Sequence, residues 1–206
     1  VHGVDFVEGD SDPMDEHGHG THVAGIIAMT PGNGGGVGVA YGAKIMCVRA
    51  GQANGSFAST DIAKAIKYAA DNGADVINMS FGGTGRSYLV ESALQDAFPS
   101  CVLVAAAGND GLPTTDAKQA GYLFTEDIYP AGYKYVIGVM ATDNNKSLAY
   151  FSNWDFKEGS GCEYEMAAPG VGIYSTLPGN RYACWSGTSM ATPNVAAAAA
   201  ILRSKY

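Results

Sequence analysis

Two short segments hold the side chains best able to do chemistry. In Ser186-Gly187-Thr188-Ser189-Met190-Ala191-Thr192-Pro193 a serine stands where a helix begins, flanked by small residues that leave its hydroxyl uncovered. The stretch that follows, Asn194 to Leu202, is mostly Ala, Ile, Leu and Val and predicts a buried helix. The start of such a helix offers unpaired N–H groups and the positive end of the macrodipole, so Ser189 would stand beside donors suited to an anion. The unreactive alternative is a serine that merely caps the helix. The second segment, His17-Gly18-His19-Gly20-Thr21-His22-Val23-Ala24-Gly25, places three imidazoles within six residues, just ahead of a small-residue helical run, Val23 to Met29. A hydroxyl is a weak nucleophile until a base accepts its proton, and a neutral imidazole is suited to that near neutral pH. The cluster therefore reads as a catalytic base, as a metal site, or as a surface loop whose glycines permit close backbone approach.

The metal reading has a counterpart, since His-x-His-x-x-His resembles the zinc-binding loop of metallo-β-lactamase-like hydrolases. Those enzymes carry Asp where this chain has Thr21, and they complete the metal shell with further histidines downstream. The four histidines here are His2, His17, His19 and His22, and none follows. A base is the better assignment, and zinc held by His17, His19 and His22 stays a distant alternative.

Read together, the segments resemble the subtilisin-like serine proteases, the subtilases. His19, in His-Gly-Thr-His-Val-Ala-Gly, matches the catalytic histidine of that family, and Ser189, in Gly-Thr-Ser-Met-Ala-Thr-Pro, matches its nucleophile. Asn109, in Ala105-Ala106-Ala107-Gly108-Asn109-Asp110, matches the asparagine whose amide completes the oxyanion hole. The order His, Asn, Ser agrees as well. The chemistry needs each of these types: the tetrahedral intermediate puts negative charge on the former carbonyl oxygen, so donors must be aimed there, a backbone N–H at Ser189 and the Asn109 amide.

The third triad member is missing. In subtilases an aspartate in an Asp-Thr-Gly or Asp-Ser-Gly block ends the first core strand, and neither block occurs in these 206 residues. Asp71-Asn72-Gly73 is the nearest look-alike, but it closes a helix with Gly73 at a left-handed stop. Asp5, Asp10, Asp12 and Asp15 lie too close to His19 to replace a residue one strand away, and Asp15 matches an acidic position just before the family histidine. Together with the opening Val1, this leads to the expectation of a single catalytic domain over 1–206, incomplete at its N-terminus and at its C-terminus.

Length and composition fit one domain. A chain of 206 residues with 47% hydrophobic content can bury a substantial core. A net charge of -8 argues against nucleic acid as a partner. The longest apolar run, Val195 to Leu202, is too short to span a bilayer. Strands are predicted over Lys44–Ala50, Asp75–Ser80, Cys101–Ala107 and Val136–Thr142. Helices are predicted from Thr60 to Asp71, with Ile62, Ala65, Ile66 and Ala69 inward, and from Ser87 to Phe98, with Leu89, Val90, Ala93, Leu94 and Ala97 on one side. The remainder up to Ser186 reads as loops and short strands. Alternation of this kind implies an α/β layered domain with right-handed crossovers, and Asn109 then falls at the carboxyl end of a strand. The resemblance specifies the class further, as a subtilisin-like three-layer α/β/α fold with a mainly parallel central sheet, truncated at its N-terminus.

The resemblance also implies where substrate lies. Gly55-Ser56-Phe57 and Ser80-Phe81-Gly82 correspond to two edges that hold an extended peptide as an added strand. Phe57 is bulkier than the small residue often found there, and Asp110 beside Asn109 would favour a basic side chain. Cys47 and Cys101, in apolar strands, are expected as buried thiols. Cys162 and Cys184 could form a disulfide in a secreted enzyme. The family allows structural calcium, but Glu8-Gly9-Asp10-Ser11-Asp12-Pro13 lacks the spacing of a calcium loop. In the loop Pro31–Gly36 only Asn33 offers a side-chain oxygen. No metal is assigned. The expected function is a secreted serine endopeptidase that cleaves protein substrates through an acyl-enzyme, with a prosegment as inhibitor and folding aid. The alternative is a catalytically deficient fragment or pseudoenzyme that still binds peptides in the cleft.

Overall fold

Four parallel strands in chain order form the central sheet, as apolar runs separated by helices require. The computed structural model describes residues 3–156 and 163–205. In it β3 (Val76–Met79), β4 (Val102–Ala106), β5 (Ile137–Thr142) and β6 (Met166–Pro169) pair in the order β3-β4-β5-β6, all parallel. Helix α2 (Ser59–Asp71) leads into β3, and α3 (Tyr88–Ala97) runs between β3 and β4. Ahead of the sheet come β1 (Val4–Asp5), α1 (His19–Ala28) and β2 (Val48–Arg49), with β1 and β2 paired in parallel. After it come the antiparallel hairpin β7 (Ile173–Leu177) and β8 (Arg181–Trp185), then α4 (Thr188–Arg203).

Strand alternation sorts the core into two sides. Leu103, Ala105 and Ala107 face Ile66 of α2 and Leu94 of α3, whereas Val104 and Val139 face Ala191, Val195 and Ala196 of α4. That is the expected α/β/α sandwich, with every buried strand covered on both faces. A smaller cluster joins Val23 and Ile26 of α1 to Met190 of α4. Ser87 caps α3, its hydroxyl accepting from the Val90 N–H at 3.5 Å.

Several boundaries differ from expectation. The strand predicted from Lys44 survives only as Val48–Arg49, because its ladder partner β1 offers two residues. Cys47 is exposed rather than buried, since its stretch lies outside the sheet, while Cys101 is buried and donates to the Ala74 carbonyl. Leu89 is exposed at the rim of α3, which turns Val90, Leu94 and Ala97 inward. Helix α4 is buried as far as Ala197, but Ile201 and Leu202 emerge into solvent beyond the sheet. Cys162 lies outside the described residues, and Cys184 is an exposed thiol on β8.

Candidate active site

Ser189 is the second residue of α4, not its cap. The cap is Gly187, in extended backbone and with no side-chain bond, so the capping role expected as the unreactive alternative does not apply. A first-turn N–H such as that of Ser189 has no carbonyl within the helix to bond. Its neighbour Thr188 is fully buried, and both its N–H (2.8 Å) and its hydroxyl (3.0 Å) donate to Asn109 Oδ1. That occupies the amide oxygen of Asn109 and leaves its N–H₂ group as the end able to donate elsewhere. Asn109 reaches this position because Gly108, at φ 104°, turns the chain just past β4; a Cβ at Gly108 would lie 2.6 Å from Asn153 Nδ2. The Thr188 hydroxyl also accepts from the Gly108 N–H at 3.2 Å, tying the strand end to the helix start.

His19 opens α1. It follows Gly18, at φ 94°, where a Cβ would touch Leu177, Pro178 and Trp185. The approach to α1 is fixed by Asp15. Its carboxylate accepts from the N–H groups of His17 (3.0 Å), Gly18 (2.7 Å) and Thr21 (2.7 Å) and from the Thr21 hydroxyl (2.7 Å). Burial works to raise the Asp15 pKa, but these bonds outweigh it and hold the carboxyl below its ordinary range. The His19 ring is half-buried and stacks near Trp185, centroids 6.4 Å apart, with His17 at 6.3 Å. Its pKa is pushed down, by burial first and by His17 second, with Asp15 pulling the other way. The imidazole is therefore neutral at physiological pH.

Trp185 lies four residues before Ser189, and Val23 and Ile26 of α1 pack with Met190 of α4, so the helices that carry His19 and Ser189 adjoin. The Ser189 hydroxyl donates to the Ser80 carbonyl at 2.9 Å rather than to His19. No described carboxylate hydrogen-bonds to the His19 ring. Asp15, the nearest acid in sequence, is spent on the helix start.

The zinc alternative finds no support in the geometry. His22 is fully buried, stacked on Trp185 at 4.6 Å with its Nε2 3.1 Å from the Ala183 carbonyl, so it cannot turn toward the ion that His17 and His19 would share. Among the described residues no three His, Cys, Asp or Glu side chains group around a metal position. Calcium meets two poor fits. At the acidic loop Arg49 supplies the positive charge, 3.7 Å from Glu8 and 2.9 Å from the neighbouring Asp5. In the loop 31–36 the Asn33 oxygen is turned onto the N–H groups of Gly35 and Gly36.

The two expected peptide edges flank one cavity of about 270 Å³, lined by Gly55, Ser56 and Phe57 on one side and Phe81 and Gly82 on the other. The rings of Phe57 and Phe81 stack across it at 4.5 Å. Ser80 does not line this cavity; it is buried against Ser189. Asp110 is exposed and faces Glu126, whose pKa is raised by burial and then by Asp110. Sequence reasoning missed Glu126, since the segment before it carries no motif, and missed Trp185 and Thr188, whose roles need the folded geometry.

A profile of the Subtilase family (peptidase S8) matches residues 1–206. The chain belongs to the subtilases. It is 47% identical over 207 residues to a thermophilic serine proteinase of Bacillus sp. strain AK1, covering all of this chain and 47% of that protein. Subtilisin DY of Bacillus licheniformis and thermitase of Thermoactinomyces vulgaris are each 43% identical over the whole chain, which covers 70% and 68% of them. This subtilase thus spans about half the length of the first relative and about two thirds of the others. Its fold matches a crystal structure of a cold-adapted subtilisin-like serine proteinase with a TM-score of 0.81 at 36% identity, over 99% of this chain and 68% of that one. No helix among the described residues is long and apolar enough to cross a membrane.

Proposed function

We propose that this subtilase is a serine endopeptidase in which Ser189 is the nucleophile, His19 the general base and then acid, and Asn109 an oxyanion donor. The observation that carries this reading is the lock on Asn109: with its oxygen held by Thr188, its N–H₂ group is the free end, beside the unpaired N–H of Ser189. Such fixed donors act where charge develops and need no reorganisation at the moment of reaction. The neutral His19 takes the hydroxyl proton as Ser189 Oγ bonds to the substrate carbonyl carbon. It returns that proton to the departing amine, and water then releases the acyl group by the same steps in reverse.

The cavity between Gly55-Ser56-Phe57 and Phe81-Gly82 supports binding of an extended peptide, its aromatic lining favouring an apolar side chain. The exposed Asp110 and its neighbour Glu126 favour a basic side chain nearby. The same reading makes the substrates proteins, the setting extracellular and a prosegment the natural inhibitor. The test is hydrolysis of an unfolded protein by the wild type and by Ser189→Ala. Cleavage by the first and none by the second is expected, and undiminished cleavage by the variant contradicts the assignment.

A further inference from the structure

Helix α4 contains a proline one turn after Ser189. In a regular helix residue 193 would donate its N–H to the carbonyl of residue 189, but Pro193 has no N–H and its ring crowds that carbonyl. The Ser189 carbonyl should then be an orphan in a buried first turn. It is not, because the Ser80 hydroxyl donates to it at 2.9 Å. Ser80 is 5% exposed and stands immediately after β3. Its only hydrogen goes to Ser189, so its oxygen is left to accept, and it accepts from Asn78 Nδ2 at 3.0 Å. The oxygen of that amide, Asn78 Oδ1, is buried with no partner, the cost of holding the N–H₂ group toward Ser80. In return the Ser189 hydroxyl donates to the Ser80 carbonyl at 2.9 Å.

We propose that Ser80 is a positioning residue for Ser189, its hydroxyl standing in for the helix hydrogen bond that Pro193 removes. The inference rests on Ser189 being the nucleophile. Asn109 holds the residue before Ser189, through the N–H and hydroxyl of Thr188, and Ser80 holds the carbonyl of Ser189 itself, so the Cα that carries the hydroxyl is flanked by a fixed group on each side. The proline has a purpose in this arrangement. By vacating the Ser189 carbonyl it lets a strand end of the central sheet, rather than the helix itself, set where that residue sits.

The test is a rescue. Ser80→Ala keeps the backbone carbonyl and removes only the hydroxyl; kcat should fall about fivefold to tenfold, the worth of one net hydrogen bond, with KM little changed. Pro193→Ala added to it supplies an N–H aimed at the Ser189 carbonyl, and the double variant should regain most of the lost kcat. Thermal melts of both variants separate positioning from folding: a merely structural Ser80 would lower the melting temperature without a kcat loss that Pro193→Ala reverses. An unchanged kcat in Ser80→Ala, or a loss indifferent to Pro193→Ala, overturns the proposal. If the wild type hydrolyses nothing, the proteinase reading falls with the catalytic consequence. The hydrogen-bond substitution is then judged by whether Pro193→Ala restores the melting temperature that Ser80→Ala lowers.

Discussion

Helices α1 and α4 both begin after a glycine and both carry a candidate reactive side chain in the first turn, yet they are held from different distances along the chain. The first turn of α1 is fixed by Asp15, a few residues upstream, through four hydrogen bonds. The first turn of α4 is fixed by Ser80 and Asn109, which stand at the ends of adjacent strands, 109 residues from Ser189 and 79 from Thr188. Each strand end thus acts as a bracket for Ser189 or its immediate neighbour. His19 has no such bracket among the described residues; Ser175 and Thr176 of β7 hold the carbonyls of His22 and Thr21 further along α1, and the His19 imidazole lies beside the rings of His17 and Trp185. The proposed nucleophile is thus positioned by the central sheet, and the proposed base by its own loop and a hairpin. Disturbing the sheet end should change catalysis with little effect on α1, and disturbing Asp15 should do the reverse.

The largest effect expected from that difference is at Asn109. Asn109→Ala removes the amide N–H₂ group and releases Thr188, and kcat should fall by about 10²–10³ with little change in KM, the magnitude known for removing one such donor in subtilisin itself. A change confined to KM would deny the oxyanion role and erase the contrast between the two helices. A smaller effect is expected at Asp15. Asp15→Ala leaves the first N–H groups of α1 without their acceptor and should lower stability by about 1 kcal/mol, read from a denaturant midpoint. Because the Asp15 carboxyl is held below its ordinary range, this contribution is present above the unfolded carboxylate pKa and is lost as pH falls through the lower folded value, so wild type and variant should converge in strong acid.

The smallest effect is on the pH profile. Burial holds the His19 pKa below its ordinary value, so kcat/KM should rise with pH along an acid limb set lower than that of a free imidazole. Asp15→Asn removes the charge that favours imidazolium and should move the acid limb to lower pH. His17→Gln removes the neighbour that disfavours it and should move the limb to higher pH. Shifts in the same direction would mean that His19 is not the group being titrated.

The residue types of the site were legible because they are local: Gly-Thr-Ser before a small-residue helix and the spaced histidines can be read without a fold. The layered core was legible for the same reason, since Leu103 to Ala107 and the apolar faces of α2 and α3 follow simple periodicities. What escaped was everything set by long-range pairing. Ser80 reads in sequence as an edge residue, and only the folded chain brings its hydroxyl to the carbonyl vacated by Pro193, although that proline inside a helix was itself a visible signal. Cys47 looked buried because its neighbours are apolar, and it is exposed because the strand it seemed to extend has only a two-residue partner.

The central claim is that one serine, clamped at the start of α4, is activated by His19. A fluorophosphonate reacts covalently only with such a hydroxyl, and peptide mapping locates the adduct. A single adduct on Ser189 is expected, absent in Ser189→Ala and formed far more slowly in His19→Ala. Labelling at another residue, or at an undiminished rate without His19, would contradict the account.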